Sequence, residues 1–127
     1  MSQNEQKFVA HYADKAAFKP GLREYLKYRD LGINEGTGGR FHAHVIRPSG
    51  VPPGKGSGLH WHELDFQMNY VVRGWVKVMV DGEGELTFKA GDAWLQPPGV
   101  KHDLLGFSPD AEWIEITSPA DFPTYEA

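Results

Sequence analysis

Residues 54–74 read GKGSGLHWHELDFQMNYVVRG. His60 and His62 stand two apart, so on a strand both imidazoles project from one face. Two neutral imidazoles on one face supply half of a metal site. Gln67 falls on the following strand, with Glu63 to Phe66 between, and its amide oxygen is a neutral, weak donor. His102 comes later, just past Pro97-Pro98-Gly99. Spacing alone does not decide the matter, because His42 and His44 are separated in the same way. For that second pair the expected setting is a partly exposed strand face, with the wall of a pocket or the outer surroundings of a metal as the alternative, and His11 is expected on the surface. What separates the pairs is whether further ligands converge on one of them.

Working outward, short apolar runs alternate with turn chemistry. Strands are expected over 40–47, 59–62, 65–72, 75–80, 85–89, 93–96, 102–107 and 113–117. Asp81-Gly82-Glu83-Gly84 is a hairpin turn between two of them. Residues 49–58 (SGVPPGKGSG) and 32–39 (GINEGTGG) read as loops. Residues 22–30 (LREYLKYRD) fit helix and strand equally well. About eight short strands at this spacing give an all-β sandwich or barrel. The whole chain, 1–127, is expected to form one domain: an N-terminal arm or edge strands over 1–30, a barrel over 40–118 and a tail over 119–127.

The chain has no cysteine, which excludes disulfides, thiolate ligands and cysteine nucleophiles. Its net charge is −4 and its 13 basic residues form no cluster, so neither nucleic acid nor a membrane surface is expected as a partner. The N-terminal residues are polar, no apolar run is long enough to span a bilayer, and a cytoplasmic location is expected.

The two histidine segments together resemble the cupin family. The first cupin motif is Gly, five residues, His-x-His, three or four residues, an acidic ligand, six residues and Gly. It is matched by Gly54, His60, His62, Gln67 and Gly74, with Gln in place of the acid. The second is Gly, five residues, Pro-x-Gly, two residues, His, three residues and Asn. It is matched by Gly91, Pro97, Gly99 and His102, with Gly106 in place of Asn. The resemblance implies a small single-domain bacterial cupin of the cupin 2 type, folded as a double-stranded β-helix, or jelly-roll barrel. It also implies one divalent metal ion (Fe, Zn, Ni or Mn) held by His60, His62, Gln67 and His102.

Gln67 leaves the donor set without charge, so a 2+ ion would keep its full Lewis acidity. Among resembling cupins are Fe(II) dioxygenases acting on enolisable dicarbonyls, which is the first expectation for the activity. A non-redox lyase or isomerase acting on sugar acids, like the small cupins that linearise unsaturated uronates, is the alternative. A non-catalytic ligand-binding cupin is the third reading. Catalytic residues beyond the ligands are not assigned. Glu63 and Asp65 are expected to be solvated loop carboxylates, and the four tryptophans to serve the core or an interface. The expected partners are a small-molecule substrate and a second copy of the chain in a homodimer.

Overall fold

The computed structural model describes residues 5–21, 23–51 and 57–127. Leu22 and Gly54, at the start of two segments read above, lie outside them. Among the described residues, eleven strands form two antiparallel sheets. The six-stranded sheet has the order β1 (Lys19–Pro20), β2 (Leu26–Asp30), β3 (His42–Pro48), β10 (Glu112–Ser118), β5 (Phe66–Arg73), β8 (Ala93–Leu95). The five-stranded sheet has the order β11 (Thr124–Glu126), β4 (His60–His62), β9 (His102–Phe107), β6 (Trp75–Val80), β7 (Gly84–Lys89). This is the two-sheet jelly-roll architecture expected from the sequence.

Alternation explains the core. Val76, Val78 and Val80 on β6 meet Ile46, Val71 and Trp113 from the other sheet, with Tyr25 and Leu26. Val71 and Val76 are fully buried, and each contributes about 1.5–3 kcal/mol by leaving water. Tyr25, Leu26, Ile46, Val76, Val78 and Trp113 of this core also line a cavity between the sheets.

Turn residues set the register. The hairpin β6–β7 closes with Val80 opposite Gly84, and Gly82 and Gly84 both adopt positive φ. Gly74, between β5 and β6, has φ +72°, and a Cβ there would run into Ser108 Oγ. Its place in the first motif therefore has a steric reason.

Two segments differ from the sequence expectation. Residues 32–39, read as loop, contain one short helix, α1 (Ile33–Thr37), between Gly32 and Gly38, both in the left-handed region. The tail contains β11, which pairs with β4 and places Thr124 opposite His62. The ambiguous stretch 22–30 resolves as strand β2 from Leu26, with Tyr28 opposite Ile46 of β3.

Candidate metal centre

β4 and β9 pair antiparallel with His60 opposite His102, which brings the two sequence motifs together. His62, two residues along β4, adds a third imidazole on the same face. One ring nitrogen from each of His60, His62 and His102 lies within 4.8 Å of the other two. The Nδ1 atoms are all engaged elsewhere. His60 Nδ1–H donates to the Gly58 carbonyl at 2.6 Å, and His102 Nδ1–H to the Val100 carbonyl at 3.0 Å. His62 Nδ1 bonds the Thr124 hydroxyl of β11 at 2.8 Å. A carbonyl only accepts, so His60 and His102 carry their proton on Nδ1 and leave Nε2 as a bare lone pair. Such outer hydrogen bonds orient imidazoles for a metal.

Two of the imidazoles are held neutral. Burial, followed by the neighbouring His102 and His60, pushes His62 down to about 4. Burial also lowers His102, against the hydrogen bond to Val100. Converging and anchored, the trio could hold one metal ion.

The facing sheet supplies a second polar group of residues. Gln67 on β5 is 4% exposed, and its Nε2 donates to Glu115 Oε2 on β10 at 2.9 Å. The other carboxylate oxygen, Oε1, takes a hydrogen bond from His44 Nε2 at 2.9 Å. His44 Nδ1 is in turn 3.1 Å from His42 Nε2. An ionised carboxylate only accepts, so His44 donates to Glu115. Two buried atoms in this group have no hydrogen-bond partner among the described residues, Gln67 Oε1 and His42 Nδ1. Burial alone would raise the Glu115 carboxyl, but the hydrogen bond and charge of His44, with the Gln67 amide, hold it below its ordinary value.

A cavity of about 900 Å³ joins the two walls; His60, His62, His102, Gln67, Glu115 and His44 all line it. Trp94 and Trp113 form apolar parts of its wall. Tyr28 also lines it, and burial, then the charge of Glu115, pushes the phenol up to about 12, so it remains a donor. Four cations, Lys15, Lys19, Arg23 and Arg29, border the same space. Arg23 Nη1 donates to the Ser57 carbonyl at 3.0 Å, and Arg29 Nη1 lies 2.8 Å from His11 Nε2.

The cavity wall also takes in histidines that the sequence did not assign to the site. His42 and His44 are half-buried and line the cavity, which is the pocket-wall setting and not the favoured strand face turned to solvent. His11 borders the cavity too. Glu115 and Thr124, which hold Gln67 and His62, were not anticipated at all. A pattern was available for Glu115: it sits two residues from Trp113 and two from Thr117, both buried, so alternation turns it inward. As expected, Glu63 and Asp65 are exposed and do not border the cavity. Trp113 is a core residue, 3% exposed.

Comparison with known proteins agrees with this architecture. The family model described as Cupin domain matches residues 49–117. No curated protein matches the sequence significantly. Among solved structures, KdgF from Halomonas sp. is 22% identical with a TM-score of 0.67, over 85% of this chain and 92% of that one. The polyketide cyclase RemF from Streptomyces resistomycificus is 15% identical with a TM-score of 0.74, over 95% and 86% of the two chains. An RmlC-like cupin from Shewanella frigidimarina is 25% identical with a TM-score of 0.63, over 91% and 95%. With both motifs, the two-sheet fold and a family match across more than half its length, the chain belongs to the cupin family.

Proposed function

We propose that this cupin is a metal-dependent enzyme for a small, enolisable carbonyl compound bearing an anionic group. The observation that carries the reading is the set of three anchored, converging imidazoles that line one cavity with Gln67, whose amide oxygen is buried without a partner among the described residues. His60, His62, Gln67 and His102 would hold one divalent ion, with positions left open toward the cavity. Such an ion would supply Lewis acidity toward a carbonyl oxygen, undiminished by any charged ligand.

The chain's own residues would do the rest. Arg23 and Arg29 border the cavity as fixed positive charges suited to a carboxylate. Trp94 and Trp113 give the carbon skeleton an apolar wall and keep water from it. His42 lines the cavity at the end of the His44–Glu115 chain, its Nδ1 has no hydrogen-bond partner among the described residues, and it would act as the proton acceptor. That ready proton acceptor favours non-redox lyase, isomerase or cyclase chemistry as the first reading. One protein of the same fold is a polyketide cyclase, in keeping with it. The neutral donor set also suits Fe(II), and this keeps an Fe(II)-dependent dioxygenase as the second reading.

The deciding experiment begins with elemental analysis of protein purified without added metal. Protein loaded separately with Zn(II), Ni(II), Mn(II) and Fe(II) is then given a panel of β-dicarbonyl acids, with and without air. Turnover under anaerobic conditions with Zn(II) or Ni(II) is expected. Turnover that needs both Fe(II) and O₂ would establish the dioxygenase instead. A small molecule that binds tightly and is never turned over would make the protein a ligand-binding module.

We also propose a homodimer. Leu95, on edge strand β8, is 60% exposed, and Tyr70 and Val72 of the adjoining β5 are exposed beside it. This leaves an apolar strand edge without a partner. Light scattering at micromolar concentration tests it, and a monomer would overturn it. Among the described residues no helix is long and apolar enough to cross a membrane, and the cytoplasm is the setting we propose.

A further inference from the structure

The sequence departs from the cupin motif at one ligand, Gln67 in place of an acid, and the structure offers a reason. The carboxamide is buried and cannot turn freely. Its Nε2 meets Glu115 Oε2 at 2.9 Å. A carboxylate has lone pairs only, so it must face the NH₂ end of an amide and never its oxygen. Chemistry, then, fixes which way the amide points. Gln67 Oε1 is turned from Glu115 and finds no partner among the described residues. Glu115 itself is held in place from the far side, because His44 Nε2 donates to its other oxygen at 2.9 Å.

A glutamate at position 67 would set two carboxylates against each other where a hydrogen bond now lies. In a site shielded from water such a pair repels strongly or must share a proton. Ionised carboxylates at both 67 and 115 are therefore mutually exclusive.

We propose that Glu115 is the positioning residue for Gln67. It fixes the carboxamide so that Oε1 is the fourth donor of the centre, and the negative charge that the motif usually carries on the ligand sits one residue further out, on Glu115. The inference rests on the reading of the three imidazoles as metal ligands. It adds that positions 67 and 115 form one unit whose acid and amide can be exchanged but not duplicated.

Two thermodynamic cycles test this. The first uses Zn(II) as the probe and calorimetry as the readout, on wild type, Glu115→Ala, Gln67→Ala and the double variant. Glu115→Ala should weaken Zn(II) binding by about 10–100-fold, the range for residues that orient a ligand. The loss should vanish when Gln67 is already Ala, because Glu115 acts through it. The visible spectrum of the Co(II) form should change alike in both single variants. A Glu115 effect of equal size in the Gln67→Ala background would overturn the proposal.

The second cycle needs no metal. Gln67→Glu should lower the melting temperature of metal-free protein by on the order of 5 °C, and adding Glu115→Gln should restore most of it. If the two changes are simply additive, the exchange unit does not exist. The outcomes also separate this inference from the functional reading. Wild-type protein that binds no Zn(II) defeats the metal centre, while the metal-free cycle judges the 67–115 pair alone. Should Glu115→Ala fail to fold, the charge-exchanged double variant still decides.

Discussion

The protein carries two His-x-His pairs on strands that face the same cavity, and they end in opposite arrangements. His60 and His62 on β4 lie 5.0 Å apart between ring centroids, and His42 and His44 on β3 lie 4.7 Å apart. The spacing in sequence and the distance in space are nearly equal. In the β4 pair, the Nδ1 atoms are drawn outward by Gly58 and Thr124, and the third imidazole His102 stands 4.3 Å from His60. In the β3 pair the rings bond to each other, and His44 spends its other nitrogen on Glu115. Ring nitrogens that converge define one pair, and a hydrogen-bond chain that runs from ring to ring and on to Glu115 defines the other. A His-x-His spacing thus becomes a metal half-site only when something outside the pair claims Nδ1.

The largest expected break in this contrast is on the β4 side. Replacing His60 or His102 by Ala should reduce Zn(II) affinity by more than about 100-fold, beyond the range for outer-shell changes, and leave the fold intact. His42→Ala should leave Zn(II) affinity within a few-fold of wild type. Equal losses from both pairs by calorimetry would erase the distinction between them. His44→Ala should instead register in stability. It removes a donor from a largely buried carboxylate, 22% exposed, which costs about 1–3 kcal/mol. Urea unfolding of the metal-free protein measures that cost, and an unchanged midpoint would mean that the β3 chain is idle.

The contrast also explains how much could be read from the sequence. His60, His62 and His102 were legible because each sits at a fixed distance from glycines and a proline that set strand ends. Strand positions from 40 to 117 were legible for the same reason. The setting of His42 and His44 was not. Both faces of β3 are covered: Ala43 and Val45 are 6% and 5% exposed on one side, and the cavity lies on the other. Where both faces are buried, alternation cannot say which points toward the site. Glu115 meets His44 only through the β3–β10 register, across 71 residues of chain. Thr124 was hidden by the shortness of β11, whose three exposed residues give no periodic signal.

Thr124 offers a smaller and more selective break. Its hydroxyl is the only side-chain group among the three Nδ1 anchors, the other two being backbone carbonyls. Thr124→Val keeps the shape and removes the hydrogen bond, so Zn(II) affinity should fall by about tenfold. Phe122 packs edge-on against His62 at 5.2 Å and Tyr125 stacks on Trp61 at 4.4 Å, so β11 should stay docked in the variant. Thr124→Ser should recover most of the affinity. No loss in the Val variant would show that ring packing alone orients His62.

The smallest effect expected is in the acid stability of metal-free protein. His62 is pushed down to about 4 from an ordinary value of 6.5, and burial lowers His102 and His42 as well. Between pH 6.5 and about 4 the unfolded chain therefore binds protons that the folded chain refuses. Stability rises with pH wherever the unfolded state binds more protons, so it must fall as the pH is lowered through this window. Glu115, held below its ordinary 4.5, acts with the same sign: its contribution is complete above 4.5 and is lost at still lower pH. His62 and His102 on one side and His42 on the other thus weaken the fold in acid, through the same cause of burial. Zn(II) should widen the difference, because it binds only the neutral imidazoles of the β4 side. Melting curves from pH 7 to 4.5, with and without Zn(II), should start apart and converge as the pH falls. If the two curves stayed parallel, the bound metal would not be competing with protons for these imidazoles, and the β4 pair would lose its claim to differ from the β3 pair.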